Sequence, residues 1–222
     1  MQIDGIQIYP GYFDRNAQEA LVSTLRGLVA ACPFYTPAMP RSGKPMSVRM
    51  TNFGQLGWVT DKSGYRYQSC HPETGKPWPA IPVQLLDLWQ TLARYPHPPE
   101  ACLVNHYTGS ARMGLHQDRD EIDFDAPVLS VSLGDTAVFR IGGSARKDPT
   151  RSIRLQSGDV VVMGGPARMN FHGVDHLRGV PLIALVSRPT GARVLIPPCF
   201  CEVWLRDPDG YVVVIASVYG DL

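Results

Sequence analysis

The sequence has no long hydrophobic run and no excess of either charge. Its longest apolar runs, at 180–186 and 212–218, have the length of a strand, whereas a membrane helix needs ~20 such residues. Residues 1–10 lack the basic and apolar regions of a secretory signal, so we expect a cytoplasmic protein. The 21 Lys and Arg residues balance 20 Asp and Glu residues to a net charge of +1. This balance excludes a generally basic nucleic-acid coat, so any polyanion must bind at a local patch.

Paired cysteine motifs and nucleotide-binding loops are also missing. The five cysteines are irregularly spaced without a zinc or redox pair, and we expect reduced thiols. The chain has neither a P-loop nor a GxGxxG motif, and no GxSxG elbow surrounds Ser130 or Ser132. Nucleotide-driven chemistry, Rossmann cofactors and serine hydrolysis are therefore disfavoured. The length of 222 residues suits one large domain or two small ones, and we expect a single domain over 1–222.

Hydrophobic periodicity predicts two helices followed by many short strands. Apolar residues recur with helical spacing from Asp14, a suitable N-cap, to about Ala31, and again over 81–94. Residues 33–81, rich in proline, glycine and aromatics, indicate loops and hairpins. Strands are predicted at 101–107, 128–133, 137–141, 152–155, 159–163, 169–172 and 182–187. This spacing indicates an antiparallel sandwich or barrel, and hence a mainly β fold with flanking helices (α+β).

The most specific chemical pattern is His116-Gln117-Asp118 together with His172. In an extended segment, residues two apart point to the same side, so His116 and Asp118 converge. A later strand can add His172, and two histidines with one carboxylate form the facial triad of non-haem Fe(II) oxygenases. The alternative for the tripeptide is an exposed polar loop after Gly114.

Polar and aromatic side chains supply two further candidate groups. By strand alternation, Asn105 and Tyr107 share a face, from which an amide and a phenol could hold a carboxylate cosubstrate. The alternative is a packed tyrosine and an asparagine in a strand-end turn. Trp58, Tyr65 and Tyr67 could stack on a nucleobase, or could form the small core of a loop region.

Many ordered stretches of the sequence match one known family. They are 50–54, 56–58, 64–67, 76–80, 101–107, 115–121, 126–134, 142–149, 158–165 and 171–173. Over about residues 5–177, the sequence thereby resembles the AlkB-type Fe(II)/2-oxoglutarate-dependent dioxygenases that repair alkylated nucleic acids, and its bacterial members in particular. The resemblance implies a double-stranded β-helix (jelly roll) with an N-terminal nucleotide-recognition lid at 33–80.

The resemblance also implies a metal and a cosubstrate for each candidate group. His116, Asp118 and His172 would bind Fe(II). Asn105 and Tyr107 would hydrogen-bond 2-oxoglutarate, which is consumed together with O2.

The same resemblance assigns substrate contacts. Trp58 and Tyr65 would pack on the damaged base, and Tyr67 would belong to the same lid. Asp120 would contact the exocyclic amino group of the base, and Arg146 would contact the substrate strand. The implied reaction is oxidative demethylation of N-alkylated bases, which releases formaldehyde, succinate and CO2. Such enzymes flip the base or take single strands, because a stacked base cannot reach the metal.

The segment 178–222 departs from the family pattern. The family has Arg-x-Asn-x-Thr-x-Arg there, and its two arginines bind the carboxylates of 2-oxoglutarate. Here Arg193 is the candidate for the first arginine, Cys199 replaces the second, and Arg188 is another substitute.

Part of this atypical C-terminal segment resembles a second family. Residues 204–215 look like the last strand of glyoxalase-type vicinal-oxygen-chelate domains, but they fall short of the ~50 residues of a small domain. We consider two origins for the segment, namely an altered or fused reading frame and a strand that completes the sheet.

The sequence therefore predicts a dioxygenase that demethylates single-stranded DNA, with RNA as a second candidate, without a membrane or an obligate protein partner. Because the arginine motif is incomplete, the alternative is a catalytically impaired protein that binds alkylated bases. An oxygenase acting on a protein or a small molecule is a third candidate. The match at Trp58, Tyr65, Asp120 and Arg146 argues against it.

Overall fold

The computed structural model describes residues 1–178 and 210–216. Its elements within these ranges are β1 (Gln2–Ile3), β2 (Ile6–Tyr9), α1 (Arg15–Ala31), β3 (Arg49–Gly54), β4 (Gly57–Asp61), β5 (Gly64–Gln68), α2 (Val83–Leu92), β6 (Ala101–Tyr107), β7 (Met113–His116), β8 (Val128–Leu133), β9 (Thr136–Ile141), β10 (Arg151–Leu155), β11 (Val160–Met163), a 3-10 helix (Gly165–Ala167), β12 (His172–Arg178) and β13 (Gly210–Ala216).

Two antiparallel sheets form the body of the protein. The larger sheet has the strand order β1-β2-β11-β8-β13-β6-β3, and the smaller has the order β10-β9-β12-β7. Apolar side chains from both sheets, including Met50, Phe139, Met163 and Val174, belong to one buried cluster between them. Strands β4 and β5 form a separate hairpin. The predicted mainly β fold of jelly-roll type is confirmed.

The two helices cover the outer face of the larger sheet. Strand alternation divides the side chains, so that Val160 and Val162 of β11 join the helix-side cluster, whereas Val161 and Met163 join the cluster between the sheets. Leu21 of α1 is among the residues that complete the helix-side cluster. Neither of the described helices is both long and apolar enough to cross a membrane.

The helix boundaries follow from local chemistry. The Asp14 side chain accepts a hydrogen bond from the main-chain N–H of Ala17, which confirms the predicted N-cap. The second helix is shorter than the predicted 81–94, because Pro82 at its N-cap disfavours helical geometry in Ile81. Its far end stops before Arg94, whose φ of 52° is incompatible with a right-handed helix.

Strand prediction was accurate for the long apolar runs and wrong near the second histidine. The strands predicted at 101–107 and 128–133 have those bounds in the structure. The strand predicted at 169–172 instead begins at His172, because residues 167–170 form a turn closed by a hydrogen bond from Asn170 N to Ala167 O. The strand predicted at 182–187 lies outside the described residues.

Candidate active site

The two candidate histidine ligands meet through the pairing of β7 with β12. His116 is the last residue of β7, His172 is the first residue of β12, and the two are direct partners in the antiparallel ladder. The pairing shifts between His172 and Val174. At this bulge the chain carries Gly173, where a Cβ atom would lie 2.6 Å from the carbonyl oxygen of Met113. A glycine is therefore needed for the close approach that brings both imidazoles together.

Hydrogen bonds orient both imidazole rings. Nδ1 of His116 lies 2.8 Å from the carbonyl oxygen of Gly114, and Nδ1 of His172 lies 3.1 Å from that of Asn170. Because a carbonyl only accepts, each Nδ1 carries a proton, so the neutral form of either ring presents the lone pair of Nε2. Each Nε2 faces Asp118, whose carboxylate oxygens lie 3.5 Å from His116 and 3.4 Å from His172.

The three groups form a compact donor set. Their ligand atoms all lie within 4.8 Å of one another, the separation expected for groups that share one ion. Gln117, between two of them, points away and donates to the carbonyl oxygen of Met169 at 2.5 Å. The predicted convergence of His116, Asp118 and His172 is thus present, and two nitrogens with one carboxylate suit a non-haem iron.

The electrostatics of the cluster favour the metal-binding form in two of its three groups, Asp118 and His116. Burial raises the pKa of Asp118, but the charges of His172 and His116 and a hydrogen bond from His172 outweigh it, so this pKa lies well below its usual range. Burial, with the nearby charge of His172, lowers the pKa of His116. Burial also opposes protonation of His172, yet the adjacent Asp118 raises its pKa. At neutral pH Asp118 is therefore ionised and His116 is neutral.

The candidate site residues within the described part of the chain line one cavity of about 1020 Å³. These residues are Trp58, Tyr65, Tyr67, Asn105, Tyr107, His116, Asp118, Asp120, Arg146 and His172. Arg193 lies outside the described residues. The structure thus brings together side chains that are spread over 115 positions of sequence, from 58 to 172.

Two polar groups on β6 face this cavity and have few hydrogen-bond partners among the described residues. Asn105 is buried, and its Oδ1 has no hydrogen-bond partner among the described residues. Within the described ranges, the Tyr107 hydroxyl makes only a 4.0 Å contact to the sulfur of Met113. Buried polar atoms without partners are rare, so these two groups are suited to a polar ligand. His106, between them, stacks on Phe34 and does not line the cavity, as alternation predicts.

The strands beside β6 place no cation opposite Asn105. The register puts Met50 of β3 on one side and Val212 of β13 on the other. Strand β13 has no charged residue, although it occupies the sheet position between β6 and β8. The amide and phenol of β6 thus fit a carboxylate cosubstrate. The guanidinium of Arg49 on the neighbouring strand β3 instead donates to the carbonyl oxygen of Phe34.

The hairpin β4–β5 carries the three candidate aromatic residues on one face. Trp58 pairs with Tyr67 across the hairpin, and the next paired position on that face holds Tyr65. The rings of Trp58 and Tyr65 are stacked with centroids 5.5 Å apart. The indole N–H of Trp58 donates to a carboxylate oxygen of Asp120 at 2.8 Å. The aromatic face is therefore fastened to the same loop that carries Asp118.

The predicted strand contact, Arg146, lies at the cavity wall, with its guanidinium 5.7 Å from the ring centre of Phe171. Three buried polar residues near the site carried no assigned role in the sequence, namely Asn52, Glu121 and Arg168. No periodicity marks them, since each lies in a turn, a loop or a short buried strand. Arg168 and Glu121 contact each other across 47 positions, and Asn52 contacts Trp58 six positions further on, so only the folded chain shows these partners.

Known proteins share both this fold and this sequence pattern. Residues 5–194 match the model of the 2OG-Fe(II) oxygenase superfamily. The AlkB homolog of Caulobacter vibrioides, an alpha-ketoglutarate-dependent dioxygenase, is 58% identical over 177 residues, which cover 79% of each chain. The corresponding AlkB dioxygenase of Escherichia coli is 45% identical over 170 residues, 75% of this chain and 78% of its own. The solved structure of OsALKBH1 superposes with a TM-score of 0.71 and 27% identity, covering 98% of this chain and 100% of that one.

The fold and the three-ligand cluster define an iron oxygenase, and the chain belongs to the AlkB family of Fe(II)/2-oxoglutarate-dependent dioxygenases. Members of the superfamily use Fe(II), 2-oxoglutarate and O2, and the donor set of this chain fits the metal. When bound, these components supply the oxidising power to hydroxylate a C–H bond. The protein must orient the substrate carbon at the open side of the cluster and keep bulk water away.

Proposed function

We propose that this protein removes methyl groups oxidatively from N-alkylated bases in single-stranded DNA, with RNA as the second candidate substrate. The products are formaldehyde from the methyl group, together with succinate and CO2 from 2-oxoglutarate. His116, Asp118 and His172 hold Fe(II), and Asn105 and Tyr107 bind 2-oxoglutarate.

One observation supports the proposal above the others: a stacked aromatic pair and a three-ligand cluster line the same cavity. An aromatic face suits a flat base, since base–aromatic stacking is worth ~1–3 kcal/mol. Asp120 offers a carboxylate to an exocyclic amino group, and Arg146 offers a cation to a phosphate. The relatives also support it, because the human relative is named a nucleic acid dioxygenase.

A demethylation assay tests this proposal. The protein is supplied with Fe(II), 2-oxoglutarate and O2, and single-stranded DNA and RNA oligonucleotides with one methylated base are compared with their unmethylated forms. We expect formaldehyde and the repaired base from the methylated strand only, and none with Asp118→Ala. Succinate formation without formaldehyde from any methylated strand would contradict the proposal and favour another substrate class.

The alternative is a protein that binds alkylated bases but turns them over poorly. The uncharged strand β13 beside Asn105 favours it, because a carboxylate without a guanidinium partner binds weakly. Anaerobic titration of the Fe(II)-loaded protein with 2-oxoglutarate separates the two. A visible charge-transfer band at modest cosubstrate concentration supports the enzyme, and Arg193→Ala and Arg188→Ala then identify the arginine. Bound iron without a band supports the alternative.

We further propose that the chain acts as a single domain over 1–222, with residues 33–80 as a lid that covers the bound nucleotide and 178–222 as an atypical C-terminal segment. Strand β13 lies within the larger sheet, which supports the interpretation that part of the C-terminal segment completes this sheet. A cytoplasmic location, where nucleic acid and reduced thiols coexist, accords with the free thiols of Cys32, Cys70 and Cys102. Protease footprinting with and without a methylated oligonucleotide tests the lid, which should become protected.

A further inference from the structure

Three side chains connect the aromatic hairpin to a metal ligand; we call them the Tyr67–Arg168 network. The hydroxyl of Tyr67 donates to one carboxylate oxygen of Glu121 at 2.7 Å, and the guanidinium of Arg168 contacts the other oxygen at 3.0 Å. A second guanidinium N–H donates to the main-chain oxygen of Asp118 at 2.5 Å, and a third donates to that of Ala126 at 2.8 Å.

Because this network is buried, stabilisation of the fold alone does not explain why the protein contains it. The side chains of Arg168 and Glu121 are only 2% and 5% exposed. A buried ion pair stabilises a fold little more than apolar residues of similar volume, because desolvation offsets the attraction. The planar guanidinium does fix geometry, since its N–H groups reach three separate acceptors in the segment 118–126.

The network also links the segments that carry two of the ligands. Arg168 lies four positions before His172, and its guanidinium contacts the main chain at Asp118. On the hairpin side, Tyr67 and Trp58 contact consecutive residues, Glu121 and Asp120. The hairpin is therefore hydrogen-bonded at two points to the loop that holds the carboxylate ligand.

We propose that Tyr67, Glu121 and Arg168 are positioning residues that couple the placement of the aromatic hairpin on a base to the geometry of Asp118. The inference rests on the proposed function, because it takes the hairpin as the surface that contacts the base. Coupling of this kind is reciprocal, so the metal must strengthen base binding by the same factor as the base strengthens metal binding.

Binding measurements with Co(II), which replaces Fe(II) without oxygen chemistry, test the coupling. The dissociation constant of a methylated single-stranded oligonucleotide is measured by fluorescence anisotropy with and without Co(II), and the ratio is the coupling factor. We expect Tyr67→Phe, which removes one oxygen atom, to reduce a wild-type factor of roughly three- to tenfold towards one, as loss of a hydrogen bond to a charged group implies. Glu121→Gln should in addition weaken Co(II) binding.

The matched control is Tyr95→Phe. The Tyr95 hydroxyl donates to Asp123 at the same 2.7 Å, in the same loop as Glu121, but from the helix side of the fold. Each phenylalanine variant loses one tyrosine–carboxylate hydrogen bond. If these bonds were merely structural, both variants would lose thermal stability, and their coupling factors would be the same. An unchanged coupling factor in Tyr67→Phe, or an equal loss in Tyr95→Phe, would overturn the inference.

The outcomes also separate this inference from the proposed function. If the wild-type protein does not prefer the methylated strand, the proposed function fails. The affinity for Co(II) is then the remaining test of the network. Weaker Co(II) binding by Glu121→Gln, with Tyr95→Phe unaffected, would then support a positioning role for Glu121 and Arg168. Wild-type Co(II) affinity in Glu121→Gln would overturn it.

Discussion

The side-chain amide of Asn52 holds the main chain of Trp58 through two hydrogen bonds. Its Nδ2 donates to the carbonyl oxygen of Trp58 at 3.0 Å, and its Oδ1 accepts from the N–H of Trp58 at 3.1 Å. The Tyr35 hydroxyl donates to the same carbonyl oxygen at 3.1 Å. The tryptophan that faces the cavity is thus fixed from behind by β3, in which Asn52 is fully buried.

Replacing Asn52 should loosen this tryptophan. We expect Asn52→Ala to lower the free energy of unfolding by roughly 1–3 kcal/mol, because it leaves the main-chain N–H of Trp58 without its partner and removes one of the two hydrogen bonds to its carbonyl oxygen. Urea denaturation followed by tryptophan fluorescence measures the loss. Ser63→Ala, at the exposed turn of the same hairpin, is the control and should lie near wild type. Equal losses in the two variants would contradict a specific role for Asn52.

Loss of one imidazole should abolish tight metal binding. We expect His116→Ala and His172→Ala to weaken Co(II) binding by at least about tenfold, since each removes one of three protein donors. Isothermal titration measures the affinity. His97→Gln serves as the control because His97 lies outside the cavity, and it should bind Co(II) like the wild type. Unchanged binding in both alanine variants would place the metal elsewhere.

The glycine beside His172 should be sensitive to a single added methyl group. In Gly173→Ala, the new Cβ would meet the carbonyl oxygen of Met113 at 2.6 Å and push β12 away from β7. We expect a loss of about 1–3 kcal/mol in stability, as for other overpacked sites, together with weaker Co(II) binding.

A second glycine, Gly27, serves as the control, because an alanine there should raise the stability and not lower it. A Cβ at Gly27 of α1 meets nothing within 4 Å, so Gly27→Ala should stabilise the helix by roughly 0.5–1 kcal/mol and leave Co(II) binding unchanged. Thermal unfolding and Co(II) titration of both variants provide the comparison. Wild-type metal affinity in Gly173→Ala would show that the ligands tolerate a wider spacing of the two strands.

Three buried tyrosines, Tyr35, Tyr67 and Tyr107, should resist alkaline titration in the folded protein. Burial raises the pKa of Tyr35, Tyr67 and Tyr107, with added negative charge from Glu121 at Tyr67. Because the folded state keeps these protons after unfolded tyrosines lose theirs near pH ~10, stability is full below that pH and falls as pH rises above it.

Tyrosinate absorbance measures this effect. The native protein should show at least three fewer phenolates than the denatured protein until it unfolds at high pH. Tyr107→Phe should remove one phenolate from the denatured titration and none from the native one. Removal of one from both curves would mean that the Tyr107 hydroxyl is open to solvent.

Local pattern predicted those features that depend on neighbours in sequence. The alternation along β6 correctly placed Asn105 and Tyr107 on one face and His106 on the other. The spacing of His116 and Asp118 predicted their convergence, because side chains two positions apart in extended chain share a direction. The N-cap at Asp14 followed from a side chain and an N–H three residues away.

Features that depend on long-range contacts had no signature in the sequence. Short β7, which carries His116, was not predicted, because four residues are too few to show a periodic pattern. The start of β12 was misplaced, since the turn at 167–170 is closed by hydrogen bonds and not by a distinctive residue sequence. The substrate contacts predicted for Asp120 and Arg146 come from the family resemblance, because the neighbouring residues in the sequence do not indicate them.

The sequence by itself determined the layers of the fold, the donor atoms of the metal cluster and the family, since these rest on residue identity and short spacing. Only the tertiary structure decided how the hairpin is held to the site. Tyr67 and Glu121 are 54 positions apart, and Glu121 and Arg168 are 47 apart. A hydrogen bond between such residues depends on the paths of all the strands between them. Their contact therefore exists only once the two sheets have packed and excluded water from around them.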